Sequence, residues 1–408
     1  MQIAPFRAVR PRPDVAARVA SVPYDVVDRA EAATLAADEP LSFLRVVRAE
    51  LELPADVGSY DDRVYARAKA NFEKLQQDGV LLRDAEPSFY AYRLTAGGHA
   101  QTGIVGGVHI DDYEHDVIRK HEKTRPEKED DRTRHILTLG ADAEPVLLTY
   151  RGRAELDALV AAATATPPLY DFEADDGVRH TVWVLSETAT IRDAFGAVPV
   201  CYVADGHHRC ASAWRAGRER RDAAGAAGPA AHDWFPAVLF PATQLNILPY
   251  HRVVTSLGDL SVASFLERLA GLGSLTADAA PQPQAPGQFS FYGAGRWHGL
   301  QLDPASIQGD DPIQSLDVDL LQRRVLEPLL GIEDPRTDPR LGFVGGSRGT
   351  QELERRVEDG RAALAIAMYP TSIDQLLTVA DASLVMPPKS TWFEPKLRSG
   401  LFAHVLDD

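Results

Sequence analysis

An apolar run from Val198 to Val203, an Asp-Gly pair at Asp205 and Gly206, and a helix-compatible stretch from Cys210 to Arg220 follow one another almost without a spacer. His207, His208 and Arg209 sit at the junction. Asp-Gly is turn chemistry, because glycine adopts positive φ at little steric cost. The first backbone N–H groups of a helix have no intrahelical partner, and its dipole favours negative charge there. Three basic side chains at such a place suit an anion.

At 408 residues the chain exceeds the roughly 250–300 at which one hydrophobic core stops growing, so two or three lobes are expected. The alternation of strand and helix patterns favours a mixed α/β fold. A first lobe is expected over 1–150. DRVYARAKANFEKLQQDGV repeats Tyr65, Ala68, Phe72 and Leu75 at helical spacing before Gly79, and SFYAYRL and TGIVGGVHI flank AGGH as a hairpin. A second lobe over 151–275 holds a helix in RAELDALVAAATA, a strand in GVRHTVWVL, the Asp-Gly junction, and strands in WFPAVLF and LNILPYHRVV. RDAAGAAGPAAHD, residues 221–233, reads as a surface loop or flap. TADAAPQPQAPGQ, residues 276–288, reads as a linker to a third lobe over 289–408. That lobe opens on the hairpin FSFYGAGRWHGLQL and continues in the helix LDVDLLQRRVLEPLLG, stopped by Gly331.

A net charge of −16 argues against a surface that coats nucleic acid, which needs a basic field, but it leaves room for a local basic pocket. Cys201 and Cys210 are too few for a disulfide framework or a cysteine-built zinc site. The start lacks the apolar core of a signal peptide, and no run of about 18 apolar residues occurs. A cytoplasmic protein with no membrane or nucleic-acid partner is expected. Its oligomeric state stays open, a homodimer being one option.

In DGHHR, Asp205 can hold a metal ion or a substrate hydroxyl, Gly206 admits a ligand close to the backbone, and His207, His208 and Arg209 can donate to phosphate oxygens. The alternative is a turn whose histidines are exposed or capping. Adjacent histidines do not share a direction as His-x-x-x-His would, so they make no zinc site by themselves. HEKTRPEKEDDR sets Glu122 among cations, as a general base near phosphates requires, or else forms a solvated helix face laced with ion pairs. In VMPPKSTWFEPKLRSG, Lys389, Ser390 and Lys396 lie around turn-forming prolines. KST lacks the glycine frame of a P-loop, and the segment either closes over an anion or is a packed tail with solvated lysines. Asp25 in VPYDVV, and His251 and Arg252 in LPYHRVV, are candidate substrate contacts or ordinary strand-end polar groups.

Strand, DGHHR and a helix of small residues together resemble the phosphate-binding segment of the ParB-like superfamily, which includes sulfiredoxin and the free serine kinases. That resemblance implies a ParB-like nucleotide-binding core with additional mixed α/β lobes. FRAVRP, SVPYDVV, LSFLRVVR, HEKTRPEKEDDR, DGHHR, LPYHRVV and MPPKSTWFEPKLRSGL, in this order, resemble a widespread prokaryotic family of unknown function often found beside serine-biosynthesis genes. The family pattern draws attention to Glu122, Thr124 and Arg132. Sulfiredoxin's nucleophilic cysteine would fall on His207, so a thiol mechanism is not implied.

Together the two resemblances imply a small-molecule kinase that uses ATP or ADP with Mg²⁺ on free serine or a similar hydroxyl compound. Glu122 would be the base, with Asp205 and His207 also catalytic and Asp205 on the metal. Gly206, His208, Arg209, Arg132, Lys389 and Ser390 would bind the nucleotide, and Thr124, Asp25, His251, Arg252 and Lys396 the acceptor. The rivals are a nucleotide hydrolase or pyrophosphatase, and a regulator that binds nucleotide without turning it over.

Overall fold

A computed structural model describes residues 1–225, 230–304, 307 and 311–407. The chain forms two units, Met1–Leu245 together with Pro395–Asp408, and Asn246–Glu394.

The first unit is built on a mixed sheet with strands β1 Ile3–Ala4, β2 Phe89–Ala96, β3 His99–His109, β4 Ile118–Arg119, β5 Val146–Tyr150, β6 Tyr170–Glu173, β7 Arg179–Leu185, β8 Cys201–Asp205 and β9 Trp234–Pro241. Across the sheet the order is β4-β8-β5-β9-β3-β2-β7-β6, with β1 beside β3. The expected hairpin is β2 and β3, paired from Tyr90 with Val105 to Ala96 with His99 around Gly97 and Gly98. Phe89, Tyr90, Ala91 and Tyr92 are all buried, so both faces of β2 are covered, and its sequence reads as a continuous apolar run.

Three helices frame the candidate site: α1 Asp62–Gln77, α2 Pro126–Leu139 and α3 His207–Ala224. α1 buries Val64, Tyr65, Ala68, Phe72 and Leu75, the stripe seen in the sequence. α2 starts with Pro126 at its first turn, where the missing N–H costs nothing. α3 packs on α2 and against the sheet through small residues. A Cβ at Gly217 would stand 2.5 Å from the carbonyl oxygen of His232, so only glycine admits that approach.

The lobe boundary expected at residue 150 falls at the end of β5, whose partners β8 and β9 both lie beyond it in sequence. Residues 1–245 therefore share one sheet. Of the loop expected at 221–233, residues 221–224 finish α3, Ala231–Asp233 form a 3-10 turn, and 226–229 lie outside the described residues.

The second unit is a six-stranded antiparallel sheet of β10 Tyr250–Val254, β11 Gly273–Ala277, β12 Gln288–Gly293, β13 Arg296–Leu302, β14 Leu341–Gly345 and β15 Leu364–Met368, in the order β11-β13-β12-β15-β10-β14. The tract at 276–288 joins β11 to β12 inside this sheet, so it is a loop and not a link between lobes. The helix ended by Gly331 is present, with a π turn over Gln322–Leu326.

Candidate functional site

Strand β8 reaches the Asp-Gly turn through an irregularity. Val203 pairs with Leu148, but Asp205 pairs with Leu147, so one residue is slipped just before the turn. Such a bulge re-aims the side chains that follow it. Gly206 then caps α3 at φ +95° and ψ 38°, a region that L side chains rarely adopt. A Cβ there would lie 3.0 Å from the guanidinium carbon of Arg209.

Successive residues at the start of α3 diverge. Arg209 turns inward and is 4% exposed. It donates from Nη1 to the Pro145 carbonyl at 2.7 Å and from Nη2 to the Asp205 carboxylate at 3.1 Å, while its Nε is buried without a hydrogen-bond partner among the described residues. Burial opposes its charge, but Asp25, Asp205 and Glu144 outweigh that and raise its pKa. Two of its three nitrogens thus hold the turn together. The other Asp205 oxygen lies 3.6 Å from Lys396 Nζ. Burial pushes the Asp205 pKa up, yet Lys396, Arg209 and His207 together bring it below its ordinary value.

His207 is 6% exposed, with Nδ1 3.8 Å from the Glu122 carboxylate and Nε2 lacking a hydrogen-bond partner among the described residues. Its ring meets that of His121 edge to face at 4.4 Å. His121 is 2% exposed, and neither of its ring nitrogens has a partner among the described residues. Burial pushes His207 down to about 3 and His121 well below its ordinary value, so both are neutral near pH 7. A buried polar atom left unpaired costs about 1–3 kcal/mol, so these three nitrogens mark a place where a ligand group or water is needed. His208 points elsewhere. Its Nε2 accepts the Arg125 backbone N–H at 3.0 Å, which puts the proton of the neutral ring on Nδ1.

The structure thus brings Glu122, Asp205, His207 and Lys396 together around the Gly206 turn. Asp25 is exposed on the preceding loop, and its charge acts on both Arg209 and His208. Thr124 donates its hydroxyl to Glu129, which orders the start of α2. Arg132 is 7% exposed and lies 4.3 Å over the Tyr24 ring. It donates to Asp131 at 2.9 Å and to the Val47 carbonyl at 3.3 Å, and it sits 3.5 Å from Glu144. These contacts clamp the segments of Val47, Asp131 and Glu144 together. Glu144 had no signal in the sequence. His121 stood beside Glu122 in a quoted motif and was passed over.

Four expected residues belong to the second unit. His251 is 1% exposed and accepts the Met368 N–H at 3.1 Å; burial lowers its pKa to about 4. Arg252 donates to the Lys389 carbonyl at 3.1 Å and to the Pro388 carbonyl at 3.4 Å. Ser390 donates to the Pro387 carbonyl at 2.6 Å, and Lys389 Nζ lies 5.3 Å from the centre of the Tyr250 ring. Within their unit His251, Arg252 and Ser390 secure the MPPKST turn and the strand beside it.

Among the described residues no three or more His, Cys, Asp or Glu side chains are grouped to hold a metal. Asp205 has a cation beside each of its oxygens, Arg209 at 3.1 Å and Lys396 at 3.6 Å.

Among solved structures, the chain is similar to a free serine kinase in complex with AMP, at 12% identity over 72% of this chain and 90% of that one, with a TM-score of 0.37. A conserved hypothetical protein from Pyrococcus furiosus is 13% identical over 72% and 93%, with a TM-score of 0.35. SbnI with C-terminal truncation from Staphylococcus aureus is 14% identical over 71% and 82%, with a TM-score of 0.38. No curated protein matches. Residues 3–319 match the model of DUF1015, a protein family of unknown function, and the chain belongs to that family.

Proposed function

We propose that the protein is a small-molecule kinase that transfers a phosphoryl group from ATP or ADP to the hydroxyl of free serine or a related metabolite. The supporting observation is the start of α3, where a left-handed Gly206 opens the helix and buried His207, its Nδ1 3.8 Å from Glu122 and its Nε2 unpaired among the described residues, meets the His121 ring. Phosphoryl transfer asks chiefly for positioning and charge neutralisation. The α3 N–H groups and the neutral His207 ring would hold phosphate oxygens, and Lys396 would add positive charge. Arg209 serves them indirectly by fixing the turn. Glu122 is 43% exposed and borders this cluster, and it would accept the proton of an acceptor hydroxyl. Mg²⁺ would arrive with the nucleotide, as its counter-ion.

Mass spectrometry of the pure protein with Mg²⁺, L-serine and ATP or ADP should show a phosphorylated product. Glu122→Gln should lower kcat by about 100-fold or more while nucleotide affinity stays within a few fold, because binding phosphate needs no base. Full turnover in that variant at saturating substrates would remove Glu122 from the chemistry.

A further inference from the structure

Three stretches that carry the family resemblance, SVPYDVV, LSFLRVVR and HEKTRPEKEDDR, meet in the first unit around a cavity of about 230 Å³. The first supplies Tyr24, the second Arg48, and the third Lys128 and Arg132; Ser59 and Tyr60 complete the wall. The proposed phosphate site uses none of these side chains.

What lines the cavity is mostly unspent donor capacity. Arg48 Nε lies 3.1 Å from the Glu50 carboxylate as an ion pair without hydrogen-bond geometry, and its two terminal amino groups make no hydrogen bond among the described residues. Lys128 lies 5.2 Å from the centre of the Tyr60 ring and has no carboxylate partner among the described residues. The hydroxyls of Tyr24, Ser59 and Tyr60 likewise have no partner among them. The wall carboxylates are engaged: Glu50 by Arg48, and Asp131 by the Tyr65 hydroxyl at 2.8 Å and by Arg132 at 2.9 Å. Three cations face two wall carboxylates, and Glu144 lies 3.5 Å from Arg132, so the unspent donors belong to Arg48 and Lys128.

The free edge of a guanidinium is a planar fork that matches a carboxylate or a phosphate. The two acidic groups decide between them. They repel a dianion, and they offer a favourable field to an ammonium group on the same ligand. We propose that this cavity binds a free amino acid, with its carboxylate on Arg48 and Lys128 and its ammonium toward Glu50 and Asp131. The inference concerns binding alone and does not depend on phosphoryl transfer.

The test is calorimetric titration without nucleotide, using each common amino acid in turn, then serinol, which lacks the carboxylate of serine, and inorganic phosphate. At least one amino acid should bind saturably, and L-serine, if it is the one, should bind at least 10-fold tighter than serinol. Arg48→Gln and Lys128→Gln should each weaken that binding by roughly 10–150-fold, the value of one charge-assisted contact, and leave ADP affinity unchanged. Lys128 makes no ion pair among the described residues, so its variant decides the matter if Arg48→Gln fails to fold. Absence of saturable binding by every amino acid, equal binding in Lys128→Gln, or tighter binding of phosphate than of any amino acid would each overturn the proposal.

Discussion

Replacing Arg209 by Met tests whether its guanidinium is a strut of the turn or a ligand contact. Met keeps much of the length and removes every donor. The variant loses the charge-assisted bond to the Pro145 carbonyl and half of the cationic company of Asp205, and it leaves buried Glu144 with Arg132 as its main counter-charge. Removing one partner of a buried pair costs about 3–5 kcal/mol, whereas an exposed phosphate ligand in the empty protein would cost at most about 1 kcal/mol. Against a total stability of roughly 5–15 kcal/mol, the difference is easily resolved. Because the chain has two units, the signal must come from the first. Trp183, Trp214 and Trp234 lie in it, so guanidinium unfolding is read by fluorescence with Trp297 and Trp392 of the second unit changed to Phe in both proteins. A loss below about 1 kcal/mol would refute the inward reading of Arg209.

Gly206→Ala should lose about 1–2 kcal/mol from its left-handed backbone, plus the displacement of Arg209, whereas Gly177→Ala, at φ +76° with nothing within 4 Å, bears the backbone part alone; equal losses in thermal melts would remove the Arg209 contact. Burial raises Asp142 to about 7, so its contribution is fully present below its unfolded pKa and is lost as pH rises toward 7. Asp142→Asn should therefore gain stability over the parent by up to about 1.4 kcal/mol per pH unit between roughly pH 4 and 7, and a pH-independent difference in urea unfolding would contradict this. Cys201 and Cys210 are both fully buried with thiols pushed up by burial, so a thiol reagent should titrate neither in the native protein and both in denaturant. Rapid native reaction would show an open path to one of them.

What the sequence made legible was local. The β2 and β3 hairpin announced itself by AGGH between apolar runs, α1 by its stripe, and the β8-to-α3 junction by Asp-Gly. Sheet membership was hidden, because β5 pairs with strands more than fifty residues away and no local composition records that. The Pro-rich tract at 276–288 looked like a linker for the same reason. At the site, residue types were readable and their directions were not. A helix turns about 100° per residue, so His207, His208 and Arg209 face three environments: the Glu122 and His121 cluster, the Arg125 amide, and the Pro145 carbonyl. The partners of Arg132, Val47 and Glu144, likewise come from distant segments, so the sequence does not show them.

The return of the chain into the first unit has a consequence for the order in which the protein is made. Pro395–Asp408 belongs to the same unit as Met1–Leu245, so the whole of Asn246–Glu394 is synthesised between its two parts. Val9 pairs with Ala403, Ser21 with Ser399, and Asp142 with His404, so the early segments wait for partners made only after Asn246–Glu394. Until then Asp205 lacks Lys396 and keeps only Arg209 of its two ion-pair partners. Closing that long loop costs entropy that grows only with the logarithm of its length, so the inserted unit slows completion of the site more through its synthesis time than through its size.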